Sequence, residues 1–277
     1  MIDFNSIKER LQPICDFIGG EFYIDFKNDS RFNVYNPYDK TSDKLIKDGC
    51  DYLMLYQTDT PFIKNNLGLL QHYKKVFSVN NTVTDNDNVI SLPLGIVDTA
   101  EKISFATCYK HRDFSFWNLL KKCRDGYDKK PHKLLYLNYR IPDNLMVRKE
   151  AMKILDGLTP EEFTDKTFNG QDWLLFNSQE TYVNYFNELL DHVFVSCPEG
   201  YGIDSYRFYE TLYLGRIPVV LHNPVTDMFK DLPILFLDKW EDFSLKYREF
   251  MENFDINNYN FEKLTREYWN KVIMKNN

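Results

Sequence analysis

Cysteine is scarce and poorly arranged for structural chemistry. The 277 residues hold five: Cys15, Cys50, Cys108, Cys123 and Cys197. No pair has C-x-x-C spacing and the count is odd, which argues against a disulfide framework or a zinc site. Reduced thiols in a cytoplasmic setting are the expectation. Long apolar runs are missing too. No stretch reaches the roughly 20 residues that a membrane-spanning helix needs. The opening MIDFNSIKERLQPICDFIGG has no basic segment followed by an apolar core. The sequence therefore predicts a soluble protein with no membrane span. Asn28 and Asn80 begin N-x-S/T triplets, read as chance matches. Positive charge is also short. Lys and Arg total 34 against 41 Asp and Glu, a net charge of −7. That excludes nucleic acid as an expected partner, since phosphate-tracking proteins show basic faces. A local basic pocket for one nucleotide remains compatible with it.

What the chain does have is apolar mass and rings. Hydrophobic residues make up 43%, enough for a real core. Aromatics reach 16%, with 22 Phe and 19 Tyr, and core packing is the first use for most of them. Strand-like and helix-like segments alternate, which predicts an α/β fold. In the first half EFYIDF (21–26), DYLMLYQT (51–58), KKVFSVN (74–80) and NVISLPLG (88–95) read as strands. FSFWNLLKKC (114–123) reads as a helix, and CRDGYDKKPHK (123–133) as a linker. In the second half KLLYLNYR, QDWLLFN (171–177), HVFVSCPEG, IPVVLH and PILFLD read as strands, and RKEAMKILDGL, TYVNYFNELLDH and SYRFYETLYLG as helices. Residues 1–125 form an expected N-terminal unit and 126–258 a C-terminal unit, with a cleft between them. A tail, 259–277, is expected to return to the first unit.

The chemistry concentrates in SCPEGYGIDSYRFYETLYLGRIPVV (196–220). A strand leads into a loop with Gly200 and Gly202 and then into a helix. The glycines are expected to free the backbone for close approach to a ligand. Tyr201 lies between them, beside the expected base or sugar. Asp204 or Ser205 is a good N-cap. A helix start offers amides and a partial positive charge, worth roughly 0.3–1 kcal/mol per anionic charge. Arg207 adds a forked cation for a diphosphate. Glu210, three residues on, shares that face and can accept from ribose hydroxyls.

This segment resembles the signature of exostosin-like glycosyltransferases. The matching residues are Pro198, Glu199, Gly200, Asp204, Arg207, Glu210, Gly215, Ile217, Pro218 and Val219, continuing through DLPILFLDKWEDF (231–243). KLLYLNYR and PLGI (93–96) match earlier blocks. The resemblance implies the GT-B arrangement, two Rossmann-like domains facing a cleft. It implies a nucleoside-diphosphate sugar donor, a glycan acceptor, inversion at the anomeric carbon and no metal or other cofactor. The chain is shorter than the animal members, and their membrane anchor and stem are not expected here. It resembles the compact type of large DNA viruses and bacteria, which implies a UDP-sugar, UDP-xylose first, and fucose as acceptor.

Inversion needs a base for the acceptor hydroxyl. Asp59, just after the strand 51–58, is the first candidate, with Thr58 and Thr60 as acceptor contacts. Asp25, Asp98 and Asp113 are alternatives. Asn138 and Arg140 follow the first strand of the second half and are candidate donor contacts. His111 and Arg112 are candidate acceptor contacts, although HRD (111–113) lacks the other parts of a kinase site. Asp85-x-Asp87 lies in a polar turn and reads as solvated loop. The competing reading is a non-catalytic glycan-binding protein on the same scaffold.

Overall fold

The computed structural model describes residues 2–35, 45–56, 61–96, 114–138, 146–158, 164–165 and 178–276. Helix α1 (Phe4–Leu11) starts on Asp3, whose carboxylate accepts from the Asn5 amide, and it buries Ile7 and Leu11. The segment 21–26, expected as a strand, is instead helix α2 (Gly20–Ile24) running into a 3-10 turn, Asp25–Asn28. The physical reason lies in the burial pattern. Phe22, Tyr23 and Phe26 are buried while Ile24 is exposed, which is helical spacing. The Phe22 and Phe26 rings meet edge-on at 5.8 Å.

Four parallel strands follow: β1 (Phe32–Tyr35), β2 (Tyr52–Leu55), β3 (Lys75–Ser78) and β4 (Val89–Ser91). They lie in the order β1-β2-β3-β4. In β2, Tyr52 and Met54 face the main core and Leu53 faces a smaller cluster with Phe62, Tyr73 and Val76. Both faces are covered, so the strand reads as a continuous apolar run.

Helix α3 (Phe116–Gly126) is capped by Ser115, which accepts from the Asn118 amide. It takes in the first residues of the expected linker, and it packs on helices of the second half. The second half holds β5 (Lys133–Tyr136), α4 (Met146–Leu158), β6 (Thr164–Asp165), α5 (Gln179–Asp191), β7 (His192–Ser196), α6 (Tyr206–Tyr213), β8 (Ile217–Leu221), β9 (Leu235–Leu237) and α7 (Phe243–Asn253). Its five strands are all parallel, in the order β6-β5-β7-β8-β9. Helix α5 buries Tyr182, Tyr185, Phe186, Leu189 and Leu190, an i, i+3, i+4, i+7, i+8 stripe. The expected strand 171–177 lies outside the described residues.

Helix α8 (Arg266–Lys275) buries Trp269 and Ile273. Arg266 donates from Nε to the Phe17 carbonyl at 2.7 Å, and Lys75 donates from Nζ to Asn276 Oδ1 at 3.2 Å. One apolar core runs from Ile2 to Ile273 through both halves. The fold is α/β, with two parallel sheets and flanking helices, compatible with two Rossmann-like units. No described helix is long and apolar enough to cross a membrane.

Candidate functional site

Strand order locates the crevice. From β5 the chain steps outward to β6 and then back across β5 to β7, so the winding direction reverses between β5 and β7. In open parallel sheets, ligands bind outside the carboxyl ends of the strands at such a reversal. Here those ends carry Asn138 after β5 and Cys197 after β7.

Arg207 and Glu210 are at this place. Helix α6 buries Phe208, Tyr209, Thr211, Leu212 and Tyr213, which leaves Arg207 and Glu210 on a half-buried face. Arg207 donates from Nη1 to the Asn138 carbonyl. Its Nε donates to the Tyr185 hydroxyl at 3.2 Å, and that hydroxyl donates to Glu210 Oε2 at 2.6 Å. Tyr185 thus bridges the cation and the carboxylate. The guanidinium also lies over the rings of Tyr136 and Tyr185, at 5.4 and 5.5 Å. Burial alone would weaken its charge. The neighbouring Tyr185, Tyr136, Cys197 and Glu210 more than offset that and hold it firmly protonated. Burial, with Glu210 beside it, lifts the Tyr185 phenol well above its ordinary value despite Arg207, so it stays a donor. Sequence reasoning missed Tyr185, because its spacing on α5 marks it as a core residue. Only the partner strand order brings its hydroxyl to α6.

The loop before α6 is a tight turn. The Gly200 amide donates to the Gly202 carbonyl at 3.0 Å. Neither glycine takes the left-handed conformation, which the described glycines adopt only at Gly49, Gly95 and Gly215. The expectation that Gly200 and Gly202 supply unusual backbone angles is therefore corrected. Their need is space. A Cβ on Gly202 would lie 2.4 Å from the Asn80 side chain, and one on Gly200 would lie 3.0 Å from an Arg148 nitrogen. Arg148, in the first turn of α4, also donates from Nε to the Glu199 carbonyl at 3.0 Å. It is a second cation beside the loop that the sequence reading did not single out, because on a helix such as α4 it reads as a surface charge. Tyr201 stands at the loop tip, 56% exposed.

Asp204 is 5% exposed and both its oxygens are taken up by the chain. Oδ2 accepts from the Leu94 amide at 2.9 Å and the Tyr209 hydroxyl at 2.6 Å, and Oδ1 from the Ser205 amide at 2.8 Å. Its own amide donates to Asn80 Oδ1 at 2.8 Å. Asp204 is thus a strut between the loop before α6 and the first sheet. Burial pushes its carboxyl up to about 6, against these hydrogen bonds. Ser205 occupies the N-cap position of α6 but makes no side-chain cap bond. Gly215 ends the α6 segment at φ 72°, the left-handed turn that suits glycine.

A cavity of about 380 Å³ opens at the carboxyl ends of β7, β8 and β9, with α4 along one wall. Glu199, Ser205, His222, Asn223 and Trp240 are among its walls. Cys197 also lines it, but burial pushes its thiol up to about 12, which leaves it without nucleophilic thiolate at neutral pH.

Thr58, Asp59, Thr60, Asp98, His111, Arg112, Asp113 and Arg140 lie outside the described residues. Asp25 is exposed in its 3-10 turn. Asp85 pairs with Lys64 at 2.6 Å on the surface. Among the described residues, no group of three or more His, Cys, Asp or Glu is arranged to hold a metal.

No protein-family model matches the chain, and no curated protein matches it significantly. The likeness to exostosin-like transferases therefore rests on the motif residues themselves.

Proposed function

We propose that this protein is an inverting glycosyltransferase of GT-B type that takes its sugar from a nucleoside diphosphate. The observation that carries this is the Arg207–Tyr185–Glu210 assembly at the strand-order reversal of the second sheet. A diphosphate leaving group develops charge as the sugar departs. A preorganised guanidinium beside a helix N-terminus stabilises that charge without reorganising. Glu210 offers a carboxylate for ribose hydroxyls on the same face, and Arg148 adds a second cation near the loop. The donor is a UDP-sugar, with UDP-xylose the first choice, and the acceptor is a glycan hydroxyl, with fucose the first choice. Asp59 remains the proposed base.

A screen of donor hydrolysis across UDP- and GDP-sugars, paired with calorimetric titration of UDP, tests this reading. Arg207→Ala should lower turnover by about 10²-fold or more, the scale for losing one preorganised charge-stabilising donor. Full activity in that variant would end the donor-site assignment. A protein that binds glycans but ignores every nucleoside diphosphate would be the non-catalytic alternative.

A further inference from the structure

A residue of the first half reaches into the loop before α6. Asn80 follows β3 and is fully buried. It begins one of the two N-x-S/T triplets, and its burial excludes it as a glycan acceptor. Among the described residues it is the one non-glycine with a positive φ, at 54°. Such a backbone is unfavourable for a residue with a side chain and persists where the surroundings impose it. They do so here. The Val79 amide donates to the Leu55 carbonyl at 3.1 Å, and the Asn80 carbonyl accepts from the Phe62 amide at 3.0 Å. Asn81 closes the turn. Its Oδ1 accepts from the Val83 amide, and its Nδ2 donates to the Val83 carbonyl and to Ser91 Oγ, each at 2.9 Å.

A left-handed turn on its own is best served by glycine, which has no side chain to strain. What asparagine adds is an amide, and that amide acts on the other half of the chain. Asn80 Oδ1 accepts from the Asp204 amide at 2.8 Å. The same side chain lies against Gly202, where a Cβ would fall 2.4 Å from Oδ1 and 2.5 Å from Cγ and Nδ2. One side chain therefore holds both ends of the stretch Gly202–Asp204. This hold is separate from that of the Asp204 carboxylate, which reaches the first half through the Leu94 amide at 2.9 Å.

The consequence reaches Arg207. Ser205 is the N-cap of α6 and Tyr206 its first residue, so the helix fixes the step from Asp204 to Arg207. Arg207 in turn donates from Nε to the Tyr185 hydroxyl at 3.2 Å and from Nη1 to the Asn138 carbonyl. A shift of the Asp204 amide moves the guanidinium relative to both partners.

We infer that Asn80 is a positioning residue for the proposed donor site: through Gly202 and Asp204 it sets the start of α6, and with it Arg207. The inference rests on the glycosyltransferase reading. It makes the site composite, with ligand-facing groups of the second half placed by a side chain of the first.

A double-mutant cycle on Asn80 and Gly202 tests this, read as the calorimetric Kd for UDP well below Tm, beside Tm itself. Asn80→Gly suits the backbone at φ 54° and removes the amide. Gly202→Ala keeps Asn80 but drives its side chain off the Asp204 amide, and the three atoms nearest the new Cβ all belong to that side chain. The expected result is a UDP Kd raised at least tenfold in each single variant. The double variant should bind no more weakly than the weaker single one, since both act through one contact. A residue with a structural role alone would shift Tm and leave the Kd of the folded protein unchanged. UDP binding within twofold of wild type in either folded single variant overturns the inference and leaves the transferase reading standing. Fully additive losses in the double variant overturn it as well. A wild type that binds neither UDP nor GDP overturns both.

Discussion

Replacing Tyr185 with Phe removes one oxygen atom and leaves the ring that packs against Phe186 in place. That oxygen accepts from Arg207 at 3.2 Å and donates to Glu210 at 2.6 Å. Hydrogen bonds to charged groups contribute about 1.5–3 kcal/mol each, and two that share one atom do not add fully. A stability loss of about 1.5–3 kcal/mol follows. For a chain of this size that lowers Tm by about 3–12 °C, at roughly 2–4 °C per kcal/mol. On the proposed glycosyltransferase function, the bridge also holds Arg207 and Glu210 in register for the nucleotide. If about 1.4 kcal/mol of that ordering must be supplied by the ligand instead, UDP binds roughly tenfold more weakly. Thermal unfolding and UDP titration on wild type, Tyr185→Phe and Arg207→Ala decide the matter. Tyr185→Phe binding UDP within twofold of wild type, while Arg207→Ala loses binding, would refute the bridge and leave Tyr185 as core filling.

Other consequences follow from single contacts. Gly95 sits at φ 71° with the Ile18 carbonyl oxygen 2.1 Å from where a Cβ would lie, so Gly95→Ala should be severely destabilising in a chemical-denaturation series. Gly202→Ala should cost less, about 1–3 kcal/mol, because the clash is with the Asn80 side chain and can be shared. Asp204 has a testable sign. Its folded value, about 6, lies above the unfolded one of about 3.9, so the native state binds the extra proton and this residue's contribution falls as pH rises from about 4 to 6. The stability difference between wild type and Asp204→Asn should shrink across that window by up to about 3 kcal/mol, read by urea unfolding at each pH. A flat or rising difference would contradict the burial argument.

The second half of the fold was legible in the sequence because its signals agree at several levels. SYRFYETLYLG has helical spacing, a polar start and a glycine stop, and α6 spans Tyr206–Tyr213 with Gly215 in the left-handed turn. IPVVLH and PILFLD are short apolar runs with a proline at or next to their start and a polar residue at their end, and they form β8 and β9. EFYIDF misled because apolar residues at 22, 23, 24 and 26 fit helix and strand spacing alike over so short a run; burial at 22, 23 and 26 with Ile24 exposed decides it, and burial is a tertiary fact. β1 was missed because Asn33 interrupts its apolar run, yet Asn33 is fully buried and bonds the Tyr73 hydroxyl at 2.7 Å. Arg207 and Glu210 could be found from their place in the motif. Tyr185 and Arg148 could not, since they lie 22 and 59 residues away in sequence and meet the loop only through strand order.

Asp204 illustrates how a motif letter and its job can separate. As an acidic residue before a helix it reads as a ligand contact or a cap. In place, three donors converge on its two oxygens, and one of them, the Leu94 amide, comes from the first half of the chain. Asn80 binds the Asp204 amide from the same direction, at a backbone φ of 54° that asparagine tolerates better than most residues. The loop before α6 is therefore clamped to the carboxyl side of the first sheet at Asn80 and Leu94, while its outer edge is clamped to α4 through Arg148. A loop fixed on both sides presents its helix start in one orientation.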